Sequence, residues 1–248
     1  MTDRSNHKAG GRPVALVTGS SRGLGREIAL AFAAAGWSVV VNGCRSPEAA
    51  DAVSKDARQL GADAIAIMAD VGDRAGRDRL VEAALEWGGR LDCLVNNAAV
   101  DVGRPVVRLS EDDWDQVMEI DLLAPMALAR SAAEVMEPGG LIVNIVSFCG
   151  LAGCPRAAAY STAKAALTGL TRAEAPRFVD RRLRINAIAP GYMPTDLGRA
   201  TPAAMDIARE QHAMGTLSQP AATAAFILHL YDMPGITGQV FNLDGRIR

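Results

Sequence analysis

A glycine-rich stretch at residues 18–25, Thr-Gly-Ser-Ser-Arg-Gly-Leu-Gly, follows a short apolar run and opens an amphipathic one. Glycines let the backbone turn tightly and approach a ligand closely, because they carry no side chain. A turn of this kind between a strand and a helix offers backbone N–H groups to an anion, and the helix dipole favours negative charge there. The stretch therefore predicts a strand, a turn and a helix that bind a pyrophosphate, the alternative being a tight turn without a ligand.

Short apolar runs alternate with longer amphipathic runs along the rest of the chain. The apolar runs predict buried strands at 14–17, 38–41, 64–68, 91–95, 141–146, 184–189 and 239–243. Strands that alternate with helices are typical of a parallel sheet covered on both faces. We therefore predict an α/β fold, a Rossmann-type doubly wound parallel sheet of about seven strands with helices on both faces.

The length of 248 residues suits one domain with one large core. We expect a flexible N-terminal segment at 1–12 and a single domain at 13–248. Residues 191–215 form the one long region without a strand signal, and they are rich in Gly, Pro and Met. This composition predicts a mobile flap that shapes a substrate site.

Composition argues against several classes of partner. The 26 basic and 28 acidic residues give a net charge of -2, without the basic excess that nucleic-acid binding requires. The polar start of the chain has no apolar signal region, and no apolar run reaches the length of about 20 residues that crosses a membrane. The four cysteines lack CxxC spacing and the three histidines lie far apart, so we expect no metal site and free thiols. These features predict a soluble, cytoplasmic protein.

The residues after the second predicted strand indicate the class of dinucleotide. NAD-binding units usually place a carboxylate about 20 positions after the glycine turn, whereas an arginine there accommodates the extra 2'-phosphate of NADP. Here the strand ends in Asn42-Gly43-Cys44-Arg45-Ser46, without a carboxylate. Arg22 and Arg45 can flank a phosphate, and we therefore predict NADP(H). The alternative is that either arginine is a solvated surface charge.

Tyr160 and Lys164 lie four residues apart, a spacing that places two side chains on one face of a helix. A cation near a phenol favours the phenolate, so Lys164 is expected to lower the pKa of Tyr160 from about 10 toward the range of an acid/base catalyst. Taken alone, the pair is more often an ordinary half-exposed helix face.

Over its length from about Val14 to Gly245 the chain resembles the short-chain dehydrogenase/reductase family. The motifs that carry the resemblance, in the family's order and spacing, are the loop at 18–25, Asp70-Val71, Asn96-Asn97-Ala98-Ala99, Ser147, Tyr160 with Lys164, Pro190-Gly191 with Thr195, and Thr237-Gly238. Within the family the general pattern is most similar to the 3-oxoacyl-acyl carrier protein reductases, at 42–46, 171–173 and 184–187.

The resemblance implies an oxidoreductase that interconverts a ketone and a secondary alcohol by hydride transfer. Tyr160 is expected to exchange a proton with the substrate oxygen, Ser147 to hydrogen-bond that oxygen, and Lys164 to lower the tyrosine pKa and hold the nicotinamide ribose. Asp121 stands where the family usually has an asparagine that supports a proton-relay water. Together with Arg45 and Ser46, the motifs imply a cofactor-binding set: Gly19, Ser21, Arg22, Gly23, Leu24, Gly25, Arg45, Ser46, Asp70, Val71, Asn97, Ala98, Ala99, Tyr160, Lys164, Pro190, Gly191, Met193 and Thr195.

The substrate and the assembly follow less directly from the sequence. The resemblance implies a ketone, an alcohol or an acyl thioester as substrate and a homo-oligomer, a tetramer or a dimer. Pro176 falls inside the helix that begins near Tyr160, where it is expected to kink the helix or end it early. The alternatives to a 3-oxoacyl-acyl carrier protein reductase are a ketoreductase or alcohol dehydrogenase for a small secondary metabolite or sugar, and a non-catalytic dinucleotide-binding sensor.

Overall fold

One parallel sheet of seven strands organises the chain, which a computed structural model describes at residues 11–199 and 202–246. Its strands are β1 (Val14–Val17), β2 (Ser38–Gly43), β3 (Ala64–Met68), β4 (Cys93–Asn96), β5 (Leu141–Ile145), β6 (Arg184–Ala189) and β7 (Val240–Asn242). Their spatial order is β3-β2-β1-β4-β5-β6-β7. The direction of winding reverses between β1 and β4, and doubly wound sheets bind ligands beside such a switch point. The predicted fold class is confirmed.

Helices connect the strands and cover the sheet. They are α1 (Gly23–Ala34), α2 (Pro47–Gln59), α3 (Arg74–Gly88), α4 (Glu111–Met118), α5 (Ala124–Val135), α6 (Phe148–Ala152), α7 (Ala158–Asp180), α8 (Asp196–Arg199), α9 (Pro202–Gln211) and α10 (Pro220–Tyr231). A short 3-10 helix occupies Val106–Arg108, and a π-helical turn at Glu119–Leu123 joins α4 to α5. No helix in the described ranges is both long and apolar enough to span a bilayer.

The strands are apolar throughout because both faces of the sheet are buried. Side chains alternate between the two faces of a strand. In β1, Ala15 and Val17 pack into the core on the α1 and α10 side, whereas Val14 and Leu16 pack into the core on the α3 and α5 side. This double burial explains why the strands read as continuous apolar runs.

Two structural features outside the strands differ from expectation. Of the two effects expected of Pro176, a kink or an early end of the helix, the early end is wrong, since α7 continues to Asp180. Cys149 and Cys154 form a disulfide bond with their Cα atoms 4.9 Å apart, so the prediction of free thiols is wrong for this pair. The turn at α6 brings the two cysteines together, which their spacing along the chain did not reveal. Of the four cysteines, all within the described ranges, Cys44 and Cys93 remain free thiols.

The predicted flap at 191–215 contains two helices, α8 and α9. Its far end contacts the end of the chain, where Ala213 donates a backbone hydrogen bond to Gly245 and His212 bridges to Arg246. The predicted flexible segment at 1–12 lies outside the described residues except for Gly11 and Arg12.

Candidate active site

Ser147 and Tyr160 stand at the carboxyl edge of the sheet, beside β5. Ser147 follows that strand and caps α6, where its Oγ accepts a hydrogen bond from the N–H of Cys149 at 3.1 Å. Tyr160 lies in the first turn of α7, with its side chain half-buried, and Lys164 lies one turn later. The Nζ of Lys164 is 5.6 Å from the centre of the Tyr160 ring. The phenol and the ammonium therefore share one face of α7, as their spacing predicted.

Asp121 meets Lys164 inside the protein. Its Oδ1 lies 3.3 Å from Nζ, and the two side chains are 0% and 1% exposed. The ammonium also donates a hydrogen bond to the carbonyl of Ile145 at 3.1 Å, while the N–H of Val100 lies 3.3 Å from each carboxylate oxygen of Asp121. Asp121 is carried by the π-helical turn, a feature that often marks functional sites. The lysine charge is thus engaged by a buried carboxylate.

Burial raises the pKa of Tyr160, and the negative charge of Asp121 raises it further. A hydrogen bond with Ser147 acts in the opposite direction without reversing the outcome. The net shift is opposite to the one expected from Lys164 alone, because burial and the carboxylate of Asp121, which lies beside the ammonium, dominate it. Near neutral pH the phenol stays protonated.

Burial raises the pKa of Asp121 to about 6, although Lys164 and the Val100 N–H favour the charged form. Asp101 adds to the increase because its carboxylate is a nearby like charge. Burial also raises the pKa of Asp101 itself, although its Oδ1 accepts a hydrogen bond from the N–H of Gly103 at 2.9 Å. Two carboxyl groups thus lie near the phenol.

The glycine-rich loop lies beside this group of side chains, at the ends of β1 and β4. The Thr18 hydroxyl accepts hydrogen bonds from the N–H groups of Asn97 and Ala98 at 2.9 and 3.0 Å. The Asn97 amide donates to the Thr18 carbonyl at 2.9 Å and to the Gly19 carbonyl at 3.2 Å. These bonds hold the loop in one shape without occupying its outer surface.

The loop fits a dinucleotide in its backbone conformation and in the room that its glycines leave. Gly19 and Gly23 have φ values of 61° and 57°, the left-handed region that suits glycine. A methyl group on Gly25 would meet the Asn97 amide nitrogen and the Gly19 carbonyl oxygen at 2.5 Å. Arg22, which precedes α1, makes no side-chain capping hydrogen bond to the described part of the chain. The first turn of α1 therefore keeps N–H groups available for a pyrophosphate.

The segment that follows β6, residues 190–196, lies at the same edge of the sheet, on the other side of the glycine-rich loop. Gly191 and Met193 are buried, and Thr195 lies so close to the start of α1 that a methyl group on Gly23 would contact its Cβ at 3.6 Å. Gly23, Thr195 and Asp196 line a cleft between α1 and this segment. Among the described residues, the lining of this cleft continues to Pro220 at the start of α10 and does not include Ser147 or Tyr160.

Comparison with known proteins places this geometry in a family. The family model described as enoyl-(acyl carrier protein) reductase matches residues 19–245. The 3-oxoacyl-[acyl-carrier-protein] reductase of Synechocystis is 38% identical over 240 residues, which cover 94% of this chain and 95% of that protein. A short-chain dehydrogenase from Burkholderia cenocepacia, solved in complex with NADP, superposes with a TM-score of 0.89 at 32% identity over 98% of both chains. The angucycline C-6 ketoreductase LanV with bound NADP has a TM-score of 0.88 at 29% identity, over 97% of this chain and 98% of that chain.

The chain belongs to the short-chain dehydrogenase/reductase family. Membership makes it an NAD(P)-dependent oxidoreductase. The site residues of this short-chain dehydrogenase/reductase gather at one sheet edge because most of them follow the carboxyl ends of parallel strands, which lie on the same side.

Arg22, Arg45 and Ser46 lie on the exposed rim of that edge. The Arg22 guanidinium is 3.9 Å from Asp196, with both side chains more than half exposed. Beyond β2, burial and the carboxylate of Asp70 raise the pKa of the Cys44 thiol, while Arg45 lowers it. Arg45 and Asp70 therefore both reach Cys44. Asp70 is exposed after β3, where Val71 is buried.

Sequence reasoning missed Asn42 as a residue that positions the loop. Its side-chain oxygen accepts a hydrogen bond from the N–H of Gly19 at 3.1 Å, and its amide donates to the carbonyls of Ile67 and Ala69. Asn42 thus joins the ends of β1, β2 and β3 beneath the ligand-binding surface. The signal in the sequence is an amide in place of the usual carboxylate, a residue that can both accept and donate hydrogen bonds at the end of β2.

Proposed function

We propose that this protein is an NADP(H)-dependent reductase that converts a ketone into a secondary alcohol with Tyr160 as the general acid. The observation that carries the proposal is the grouping of Ser147, Tyr160, Lys164 and Asp121 beside the glycine-rich loop. A phenol, a hydroxyl and a buried ion pair meet there, at the edge where doubly wound sheets bind dinucleotides. These are the groups that carbonyl reduction needs.

When bound, a dihydronicotinamide would supply the hydride, and the chain would supply the proton and the electrostatic environment. The Tyr160 hydroxyl donates its proton to the substrate oxygen as negative charge develops there. The Ser147 hydroxyl donates a hydrogen bond to the same oxygen and stabilises that charge. The raised pKa keeps Tyr160 protonated near neutral pH, which is the state that a general acid needs at the start of carbonyl reduction.

Lys164 and Asp121 act after Tyr160 has lost its proton, when the side chain is a phenolate that must be stabilised and then protonated again. The Lys164 ammonium, 5.6 Å from the ring centre, stabilises the phenolate by its positive charge. Asp121 changes its protonation near pH 6, so it can accept and release a proton in the working range of the enzyme. Through its contact with Lys164, the Asp121 carboxyl group thus places a buried proton donor and acceptor near the phenol.

The NADP(H) assignment rests on the arginines and on the relatives. Arg22 and Arg45 place two guanidinium groups on the rim beyond β1 and β2, and the residues after β2 supply no carboxylate against a 2'-phosphate. Both solved relatives described above hold NADP.

For the substrate we propose a 3-oxoacyl thioester first, because the Synechocystis relative carries that activity in its name. A compact polar ketone is the second candidate. The partly buried carboxylate of Asp101 acts on both Tyr160 and Tyr192, and it would favour a substrate that donates a hydrogen bond near its carbonyl. Comparing kcat/KM for acetoacetyl thioesters and for hydroxylated ketones separates the two.

Replacing Tyr160 with Phe tests the proposed role of the phenol. The variant keeps the ring but loses the proton donor, so kcat should fall at least about 10²-fold while the NADPH dissociation constant changes less than about twofold. Tyr231→Phe is the matched control, because that hydroxyl lies on α10 and its ring packs against Trp37. Near-normal ketone reduction by Tyr160→Phe would refute the proposal.

A further inference from the structure

The disulfide bond between Cys149 and Cys154 lies in the segment that joins Ser147 to Tyr160. The N–H of Cys149 donates to the Ser147 hydroxyl at 3.1 Å, and the N–H of Cys154 donates to the Ser161 hydroxyl at 3.2 Å. One half of the disulfide therefore touches the serine that we propose as a hydrogen-bond donor. The other half touches the residue directly after the proposed acid.

The α6 segment packs tightly onto α7 between the two cysteines. A methyl group added to Gly150 would lie 2.7 Å from the Lys164 carbonyl carbon and 2.8 Å from its Cβ. Only a glycine allows this approach, which sets the distance between the Ser147 side of the site and the lysine. A small movement of α6 would therefore move Ser147 relative to Lys164.

The backbone of this segment does not adopt its shape from local preference alone. Gly153 and Arg156 both have left-handed backbone angles, with φ values of 72° and 65°. A residue with a side chain, such as Arg156, disfavours this region. The disulfide bond closes the loop from 149 to 154, which contains Gly153, and therefore constrains the turn that leads into Arg156.

We infer that the Cys149–Cys154 disulfide is a positioning bridge that holds the Ser147 hydroxyl opposite Tyr160, so that reductase activity depends on the oxidation state of this cysteine pair. The inference rests on the proposed function for its kinetic consequence. Cys149 and Cys154 are positioning residues, since they act through Ser147.

The redox step is an ordinary exchange between thiols and a disulfide. A small dithiol attacks one sulfur, the Cys149–Cys154 bond breaks, and a second thiolate of the reagent releases the other cysteine. The reagent loses two electrons and two protons and becomes a disulfide, while the two cysteines become thiols. Oxidised glutathione reverses the step. Leu151, Ala152 and Gly153 are exposed, so small thiols can approach the turn.

Counting thiols tests the bridge without reference to activity. Protein purified without reductant, then denatured and alkylated with iodoacetamide, should gain two labels, on Cys44 and Cys93. Protein treated with dithiothreitol should gain four. Four labels on the protein purified without reductant would overturn the inference.

Hydrogen exchange followed by mass spectrometry tests the positioning. Reduction should speed amide exchange in residues 147–154 at least about tenfold and leave the loop at 18–25 unchanged, because the bridge constrains only the former. Equal exchange in the two states would show that the bridge does not hold Ser147, and would overturn the inference.

Kinetics test the consequence for the reaction. Reduction should lower kcat at least about tenfold and leave the KM for NADPH within about twofold, since a displaced hydroxyl loses its contact with the reacting oxygen. Re-oxidation of the same sample should restore kcat, which excludes unfolding. A Cys149→Ala/Cys154→Ala variant should keep the low kcat with or without dithiothreitol. Because it retains Cys44, any response through that exposed thiol would persist in the variant.

The kinetic outcomes separate this inference from the proposed function. If no redox state reduces a ketone while the thiol count and the exchange rates behave as expected, the proposed function fails and the bridge stands. If both states reduce the ketone equally, the proposed function stands and the positioning inference fails.

Discussion

Asp121 gives the site a buried carboxyl group whose protonation changes near neutral pH. An asparagine at this position would keep nearly the same shape but would carry no charge and would not titrate. The pKa of Asp121 is raised from its ordinary 3.8 to about 6 because burial disfavours the carboxylate more than Lys164 and Val100 favour it. Protonation of this one residue therefore couples folding to pH.

Asp121→Asn should change how stability depends on pH. A carboxyl group with a raised pKa in the folded protein stabilises the fold below its unfolded pKa, and this contribution is lost as pH rises through the folded pKa. Between pH 4 and pH 7 the natural protein should thus lose up to about 3 kcal/mol relative to the variant. Urea denaturation at both pH values measures the difference.

Asp115→Asn is the control for this prediction, because it removes an exposed carboxylate on the neighbouring helix α4. Its stability relative to the natural protein should stay within about 0.5 kcal/mol of a constant across the same pH range. A constant difference for Asp121→Asn as well would mean that folding does not raise the pKa of this carboxyl group.

Tyr160 and Lys164 could be named from their spacing on one helix, whereas Ser147 and Asp121 could be named only from the resemblance to the family. Their electrostatics could not be predicted. Spacing along α7 brings the ammonium near the phenol, but the pKa of the phenol depends on its burial and on Asp121, which reaches Lys164 from another element. Charges that meet only in the folded protein leave no local pattern in the sequence.

At the scale of elements, the site depends on how closely α6 approaches α7. Gly150→Ala places a methyl group within 3 Å of the Lys164 backbone, so one of the two helices must move. Overpacking of this kind typically costs about 1–3 kcal/mol. We expect a fall in the melting temperature and at least about a tenfold loss of kcat, because Ser147 moves with α6.

Gly169→Ala in α7, the helix that Gly150 contacts, is the matched control. A methyl group there meets no atom within 4 Å in the described part of the chain, apart from its chain neighbours and the nearby backbone of its own helix. Alanine should stabilise α7 by about 0.5–1 kcal/mol and leave kcat unchanged. If Gly150→Ala also leaves kcat unchanged and does not lower the stability, the close contact between α6 and Lys164 does not affect catalysis.

The strands were predictable and several helical details were not. Each strand has its predicted bounds to within about two residues, because continuous apolar runs are typical of strands buried on both faces. No comparable pattern in the sequence indicated the π-helical turn at Glu119–Leu123 or the helices within 191–215. Nor did Pro176 end its helix, since packing of α7 against the sheet outweighs the loss of one hydrogen bond.

At the scale of the whole molecule, the dinucleotide surface is assembled from strands far apart in the sequence. Hydrogen bonds of Thr18 and Asn97 join the ends of β1 and β4, and those of Asn42 join the ends of β1, β2 and β3. The segment after β6 lies beside the same loop, where Thr195 approaches Gly23. A dinucleotide on this surface would need all of these elements in place. Such a ligand binds the folded chain and not the unfolded one. Binding therefore stabilises the entire fold by mass action.

NADPH should raise the melting temperature more than NADH does. At a concentration 100 times its dissociation constant, a ligand stabilises the fold by about 2.7 kcal/mol, which for a chain of this size corresponds to about 5–10 °C. Replacing both Arg22 and Arg45 with alanine should reduce the NADPH shift to that of NADH, because only the 2'-phosphate distinguishes the two ligands. Arg130→Ala, which removes an exposed arginine of α5, should retain the difference. Equal shifts for NADPH and NADH in the natural protein would contradict the assignment of NADP(H), whereas a preserved difference in the double variant would move recognition of the 2'-phosphate away from these arginines.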